Sequence, residues 1–223
     1  MSGFFWVFVL LAALLIGVAA WRSSVRRKAL SAWANSHGLV LAPGKDLSFD
    51  DRFPAFRALR RGYSRYAHHV MDGEWNGRQV TAFDYHYVTG SGKNRRVHEF
   101  SAVLVASSVP LKPLHIRSEN IFDRIGEVFG LDDLDFESAE FSRAYHVRAP
   151  DRRWAYDVLH ARTIDFLLQQ PKHNLQFDGD HVLIWRNRRF GTDAFDQALA
   201  IACGILDRFP EYLLEQQTRG GER

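Results

Sequence analysis

Cysteine is nearly absent from the chain: Cys203 stands alone among 223 residues, so no internal disulfide can close and no cysteine-based zinc knuckle can form. A lone thiol inside an apolar helical stripe reads as core filler and agrees with a reducing compartment. Proline and glycine, 7 and 16 in number, cluster nowhere, which excludes low-complexity and collagen-like architectures. The common catalytic patterns are missing as well. No serine sits in a G-x-S-x-G elbow. His98-Glu99 opens like a zincin motif, but Ala102 occupies the position of its second histidine. The run from Thr89 to Asn94 ends like a phosphate-binding loop, yet Tyr87 replaces its first glycine and Asn94 its Ser/Thr. Nucleic acid is excluded as a partner by the lack of any recognised module.

Charge is missing from one stretch altogether. Residues 2–21 carry no Lys, Arg, Asp or Glu, and Arg22, Arg26, Arg27 and Lys28 follow at once. Twenty residues rising about 1.5 Å each cover the roughly 30 Å hydrocarbon core of a bilayer. Phe4, Phe5 and Trp6 open the run and Trp21 closes it, as aromatic rings do at the two headgroup levels. A cleaved signal peptide needs a charged n-region and a shorter apolar core, although Val18-Ala19-Ala20 imitates its cleavage site. The positive-inside bias puts Met1 outside and the rest in the cytoplasm of an inner membrane. Arg22, Arg26, Arg27 and Lys28 are then membrane-surface contacts facing anionic lipid headgroups.

The remaining charge is unevenly divided. Residues 1–117 hold 16 Lys/Arg against 7 Asp/Glu, or +9, whereas residues 118–223 hold 13 against 19, or −6. The basic half is the one attached to lipid, and Arg52, Arg57, Arg60, Arg61 and Arg65 add to it. Lys93, Arg95 and Arg96 form a basic loop tip, a candidate anion contact.

The periodicities predict an α+β fold: a transmembrane helix, an antiparallel β-meander, mixed helices, a second β-hairpin and a C-terminal amphipathic helix. The expected divisions are an anchor at 1–21, a basic juxtamembrane helix at 22–38, the meander at 39–118, an α/β part of the same cytoplasmic domain at 119–210, and a polar tail at 211–223. The juxtamembrane helix should pack through Val25, Ala29, Ala32 and Trp33. Asn76-Gly77 suits a type I′ turn between strands 64–75 and 78–88. Further strands are expected at 97–106, 114–117 and 141–148. Helices are expected at 120–129, 152–169 and from Thr192, and Asp178-Gly179 should turn the second hairpin. Along the second strand Thr81, Phe83, Tyr85 and Tyr87 share one face and Val80, Ala82, Asp84 and His86 the other.

Among ten histidines, adjacent His68 and His69 should diverge to opposite strand faces and cannot share an ion without a bulge. Asp84, His86 and Glu99 can meet across neighbouring strands as a structural hydrogen-bonded group. No catalytic, cofactor-binding or metal-ligating residue is assigned.

The segments 73–103, GEWNGRQVTAFDYHYVTGSGKNRRVHEFSAV, and 136–168, FESAEFSRAYHVRAPDRRWAYDVLHARTIDFLL, resemble the two signature regions of an uncharacterised bacterial family of single-pass membrane proteins. The resemblance implies an anchored domain of this layout and no activity or ligand. The reading is therefore a membrane-anchored cytoplasmic interaction module, binding a protein partner or the anionic membrane surface. The alternatives are a small-ligand module, taking a lipid headgroup or nucleotide in an aromatic cleft around Trp75, Tyr85 and Tyr87, and a hydrolase using His86 or His98.

Overall fold

The computed structural model describes residues 2–118, 133–213 and 215. The expected helix at 120–129 and most of the polar tail lie outside them. The first element, α1 (Ser2–Ser36), is one continuous helix, and its segment from Val9 onward is long and apolar enough to cross a membrane. Gly38, with φ +71°, follows its end. Two short strands, β1 (Val40–Leu41) and β2 (Lys45–Asp46), then pair in turn with β3 (Tyr63–Trp75). Between them lie α2 (Phe49–Arg52) and a single 3₁₀ turn at Arg57–Arg60.

The hairpin of β3 with β4 (Arg78–Thr89) turns as expected at Asn76 and Gly77, whose φ values of +50° and +74° are those of the twist-matched turn. The spine of the sheet is β5 (Arg96–Ser118), which absorbs two expected strands into one. Its first half pairs with β4, its last four residues with β6 (Tyr145–Arg148), and its other edge with β7 (Asn174–Arg186). All pairings are antiparallel.

Four expectations change on folding. There is no second hairpin: Asp178-Gly179 does not reverse the chain, and β7 runs on, because β5 offers partners to both halves. Gly179 instead absorbs the mismatch where residues 107–110 of β5 bulge out of register. The expected strand at 141–148 is half helix, since Ser138 caps the Phe141 amide and starts α3 (Ala139–Ala144). The helix expected over 152–169 breaks into α4 (Arg152–Val158) and α5 (Ala161–Leu168). At the break the His160 ring bonds the Arg208 carbonyl, 2.9 Å away, beyond the end of α6 (Thr192–Leu206). Finally, α1 does not pack through Val25, Ala29 and Ala32, which are exposed; its inner face runs through Arg26, Leu30, Trp33 and Ala34.

The sheet has a core on each face. One lies under the helices and joins Leu30, Trp33 and Ala34 of α1 to Val80, Ala82, Val103 and the α6 stripe of Phe195, Ala198, Leu199 and Ala202. The other joins Phe83, Tyr85, Tyr87, Phe100 and Trp185 to Phe49, Phe56 and Leu59. Each large side chain so buried stabilises by about 1.5–3 kcal/mol. Cys203 is core filler, its thiol pushed up to about 11 by burial.

Gly62 holds φ +62° directly against β4, where an added Cβ would collide with the Val88 carbonyl. Gly62→Ala is expected to lower the unfolding free energy by at least about 3 kcal/mol. Gly179→Ala, at φ +58° in open space, should cost about 1–2 kcal/mol. Urea unfolding of the full chain in micelles measures both, and equal losses would refute the steric account.

Candidate functional site at the base of the apolar helix

Arg26 is the one juxtamembrane cation turned inward. Asp84 stands on the helix-facing side of β4, fully buried, opposite His68 of β3 and Ser101 of β5. The Arg26 guanidinium grips it bidentately, Nε to Oδ2 at 2.7 Å and NH2 to Oδ1 at 2.6 Å. Ser101 Oγ donates to Oδ1 at 2.5 Å and accepts from the Phe190 amide, while Arg26 NH1 reaches the Phe190 carbonyl. His69 Nδ1 lies 3.0 Å from Oδ2. Burial opposes the charge on Asp84. The bonds from His69, Arg26 and Ser101, with the Arg26 charge, overcome that penalty and hold the carboxyl well below the usual carboxylate range.

His68 and His69 do not diverge as a regular strand would require. His69 takes φ +50°, the register with β4 shifts between His68 and Met71, and the two rings stand 4.6 Å apart. His68, His69 and Asp84 consequently bring three donor atoms within 4.8 Å of one another. The set suits a cation poorly. Both Asp84 oxygens are already engaged by a guanidinium, and a divalent ion there would sit beside that fixed positive charge. His68 is held down to about 4 by burial and keeps a buried Nε2 without a protein partner.

These residues border a cleft of about 640 Å³. One wall is α1 itself, with Leu15, Val18 and Ala19 from the apolar run and Arg22 and Arg27 below them; Lys45 and Arg189 face these across the opening. Lys28, exposed on α1, does not line it. Arg189 pairs with Glu99 at 2.6 Å. The helix and sheet also share a direction. Leu39, just past α1, packs on Gly73, the partner of Val80, whereas Arg26 lies over Asp84. Following β4 onward from Asp84 to Thr89, about 17 Å for five residues, therefore leads back along α1 toward its apolar half. Lys93, Arg95 and Arg96 sit at that end, all exposed.

Other sequence candidates separate. Asp84 does not meet Glu99; His86 does, at 3.8 Å, and stacks on Tyr66. His98 stacks on Tyr87 and bonds Thr89. The aromatic cleft is not formed, since Tyr85 and Tyr87 are buried in one core and Trp75 packs against the other. Arg52 and Arg65 are taken up by Asp46 and Asp50.

No family model and no curated protein matches the chain. A solved structure does. The fold is similar to the crystal structure of the mycobacterial trehalose monomycolate transport factor A, TtfA, with a TM-score of 0.63 over 81% of this chain and 92% of that one. Identity is 13%, so the likeness establishes the architecture alone.

Asp84→Ala leaves the Arg26 guanidinium without its carboxylate and should cost about 3–5 kcal/mol in urea unfolding. The Arg26→Met/Asp84→Leu pair should recover most of that loss, and failure to do so would show that the pair does more than satisfy itself. His68, His115 and His173 are each held down to about 4, first by burial. Their folded values lie below the ordinary 6.5, so acid protonates the unfolded chain first. Stability should be intact above pH 6.5 and fall as the pH drops toward 4, and His68→Gln should flatten the urea-midpoint profile in that window.

Proposed function

We propose that the chain is a single-pass inner-membrane protein whose cytoplasmic domain is an interaction module seated on anionic lipid headgroups. The observation that carries this reading is the gradient along one wall of the cleft, from Leu15, Val18 and Ala19 to Arg22 and Arg27 within a few helical turns. It matches the step from acyl chain to phosphate across a leaflet boundary. Lys45 and Arg189 face the same depth from the domain, and the tip bearing Lys93, Arg95 and Arg96 points to the same side. Each such cation contributes about 1 kcal/mol near an anionic surface.

The rigid entry of α1 into the core supports the same reading. Trp21 and Arg26 are five residues apart, about 7.5 Å of helix, so the domain rests against the headgroups and not at the end of a tether. A fold shared with a transport factor is consistent with an accessory role in which the seated domain presents its outer surface to a protein partner.

The full chain in phosphatidylglycerol-rich nanodiscs should unfold at a higher temperature than in phosphatidylcholine nanodiscs. The difference should vanish in an Arg22→Glu/Arg27→Glu/Lys45→Glu chain and in about 1 M salt, where the Debye length is about 3 Å. Equal melting in both lipids would defeat the proposal. Trypsin added outside spheroplasts should leave the domain uncut, and digestion there would reverse the orientation.

A further inference from the structure

A second pocket, of about 180 Å³, lies on the sheet face opposite α1. The register explains its charge. On β5, His115 stands opposite Arg148 of β6 and Gln176 of β7, and Arg117 stands opposite His146. Arg57 and Arg61 close over them from the 3₁₀ turn. Arg117 and Arg148 are thereby diagonal neighbours across the β5–β6 ladder, within reach of like-charge repulsion. One carboxylate answers part of it: Asp133 binds Arg148 at 2.6 Å and His146 at 3.3 Å. Arg57, Arg61 and Arg117 face no carboxylate among the described residues, although Arg61 lies over the Tyr87 ring at 5.6 Å.

The apolar side chains on this face are Ala58 and Trp185, while neighbouring Ile116 and Leu175 belong to the core under the helices, and buried Gln176 is tied down by its own bond to the Ala55 carbonyl, 2.8 Å away. His115 is held down to about 4, first by burial and then by the Arg57 and Arg148 charges, so at neutral pH it is an uncharged imidazole in the wall. Arginines that meet no carboxylate among the described residues, set around a small apolar surface, are complementary to one kind of molecule, an anionic head on a short apolar body.

We propose that this pocket binds a small amphiphile, its phosphate or carboxylate between Arg57, Arg61 and Arg117 and its apolar part against Trp185. The site is independent of the lipid seat at the base of α1, from which the sheet separates it.

The test uses the full chain in phosphatidylcholine nanodiscs, with empty nanodiscs as the control. Hexyl phosphate, hexanoate, hexanol and inorganic phosphate are titrated by calorimetry and by tryptophan emission. At least one of the two anionic hexyl probes should bind tenfold or more tightly than both hexanol and inorganic phosphate, and which of them does so identifies the head group. Arg57→Ala and Arg117→Ala, with unchanged circular dichroism, should each weaken that probe about tenfold, as expected for one charge-assisted hydrogen bond. Trp185→Phe should abolish the emission change while calorimetric binding persists. Equal binding of hexanol, an equal grip on inorganic phosphate alone, or an emission change that survives Trp185→Phe would overturn the assignment. The Arg22→Glu/Arg27→Glu/Lys45→Glu chain should bind the probe normally, which separates failure here from failure of the membrane seat.

Discussion

The Arg26–Asp84 pair joins the long apolar helix to the sheet. A carboxylate sealed inside a sheet is strongly unfavourable unless its charge and lone pairs are met, and here they are met by a guanidinium carried on the helix that continues into the apolar run. The pair therefore fixes the height and rotation of α1 against the sheet. Ser101 and the backbone of Phe190 complete the arrangement, and the Trp33 indole reaches Asp196 to tie the same helix to α6. An apolar contact alone would tolerate sliding or rotation, whereas a bidentate fork does not.

That constraint places the remaining charges. With α1 held in this register, Arg22 and Arg27 fall between the apolar wall of the cleft and the cations of Lys45 and Arg189. The bulge at His69 belongs to the same design: it turns a second imidazole onto Asp84 at the cost of a left-handed backbone residue. On the opposite sheet face the bulged spine β5 brings His115 and Arg117 against β6 and β7, making a cationic surface on the side away from α1. The two faces carry different chemistry because successive strand residues point to opposite sides, and β5 contributes to both.

Much of the layout was legible from the chain. The Asn76-Gly77 turn, the alternation along β4 and the stripe of α6 follow from local rules of backbone angle and period, and they appear where those rules put them. Failures occurred where a distant partner outbid a local preference. Asp178-Gly179 has turn chemistry, but the length of β5 made a bent continuous strand the better use of its backbone hydrogen bonds. The helix through His160 broke for a carbonyl 48 residues away. The inner face of α1 lies one residue further along than hydropathy places it, because hydropathy counts arginine as outward and Arg26 is turned in. The signals for the pair are a charged residue at i−4 from Leu30 and an Asp that follows Val80 and Ala82 on the same strand face.

The sequence by itself determined the apolar run, its basic edge, the α+β class and the absence of a familiar catalytic pattern, since each depends on composition or on neighbours a few residues apart. Tertiary structure alone decided which cation is exposed and which faces the core, that His68 and His69 share a site, and that like charges from two strands and a turn enclose one pocket. Those outcomes depend on pairings between residues tens of positions apart, and a bulge of a single residue is enough to change which side chains meet.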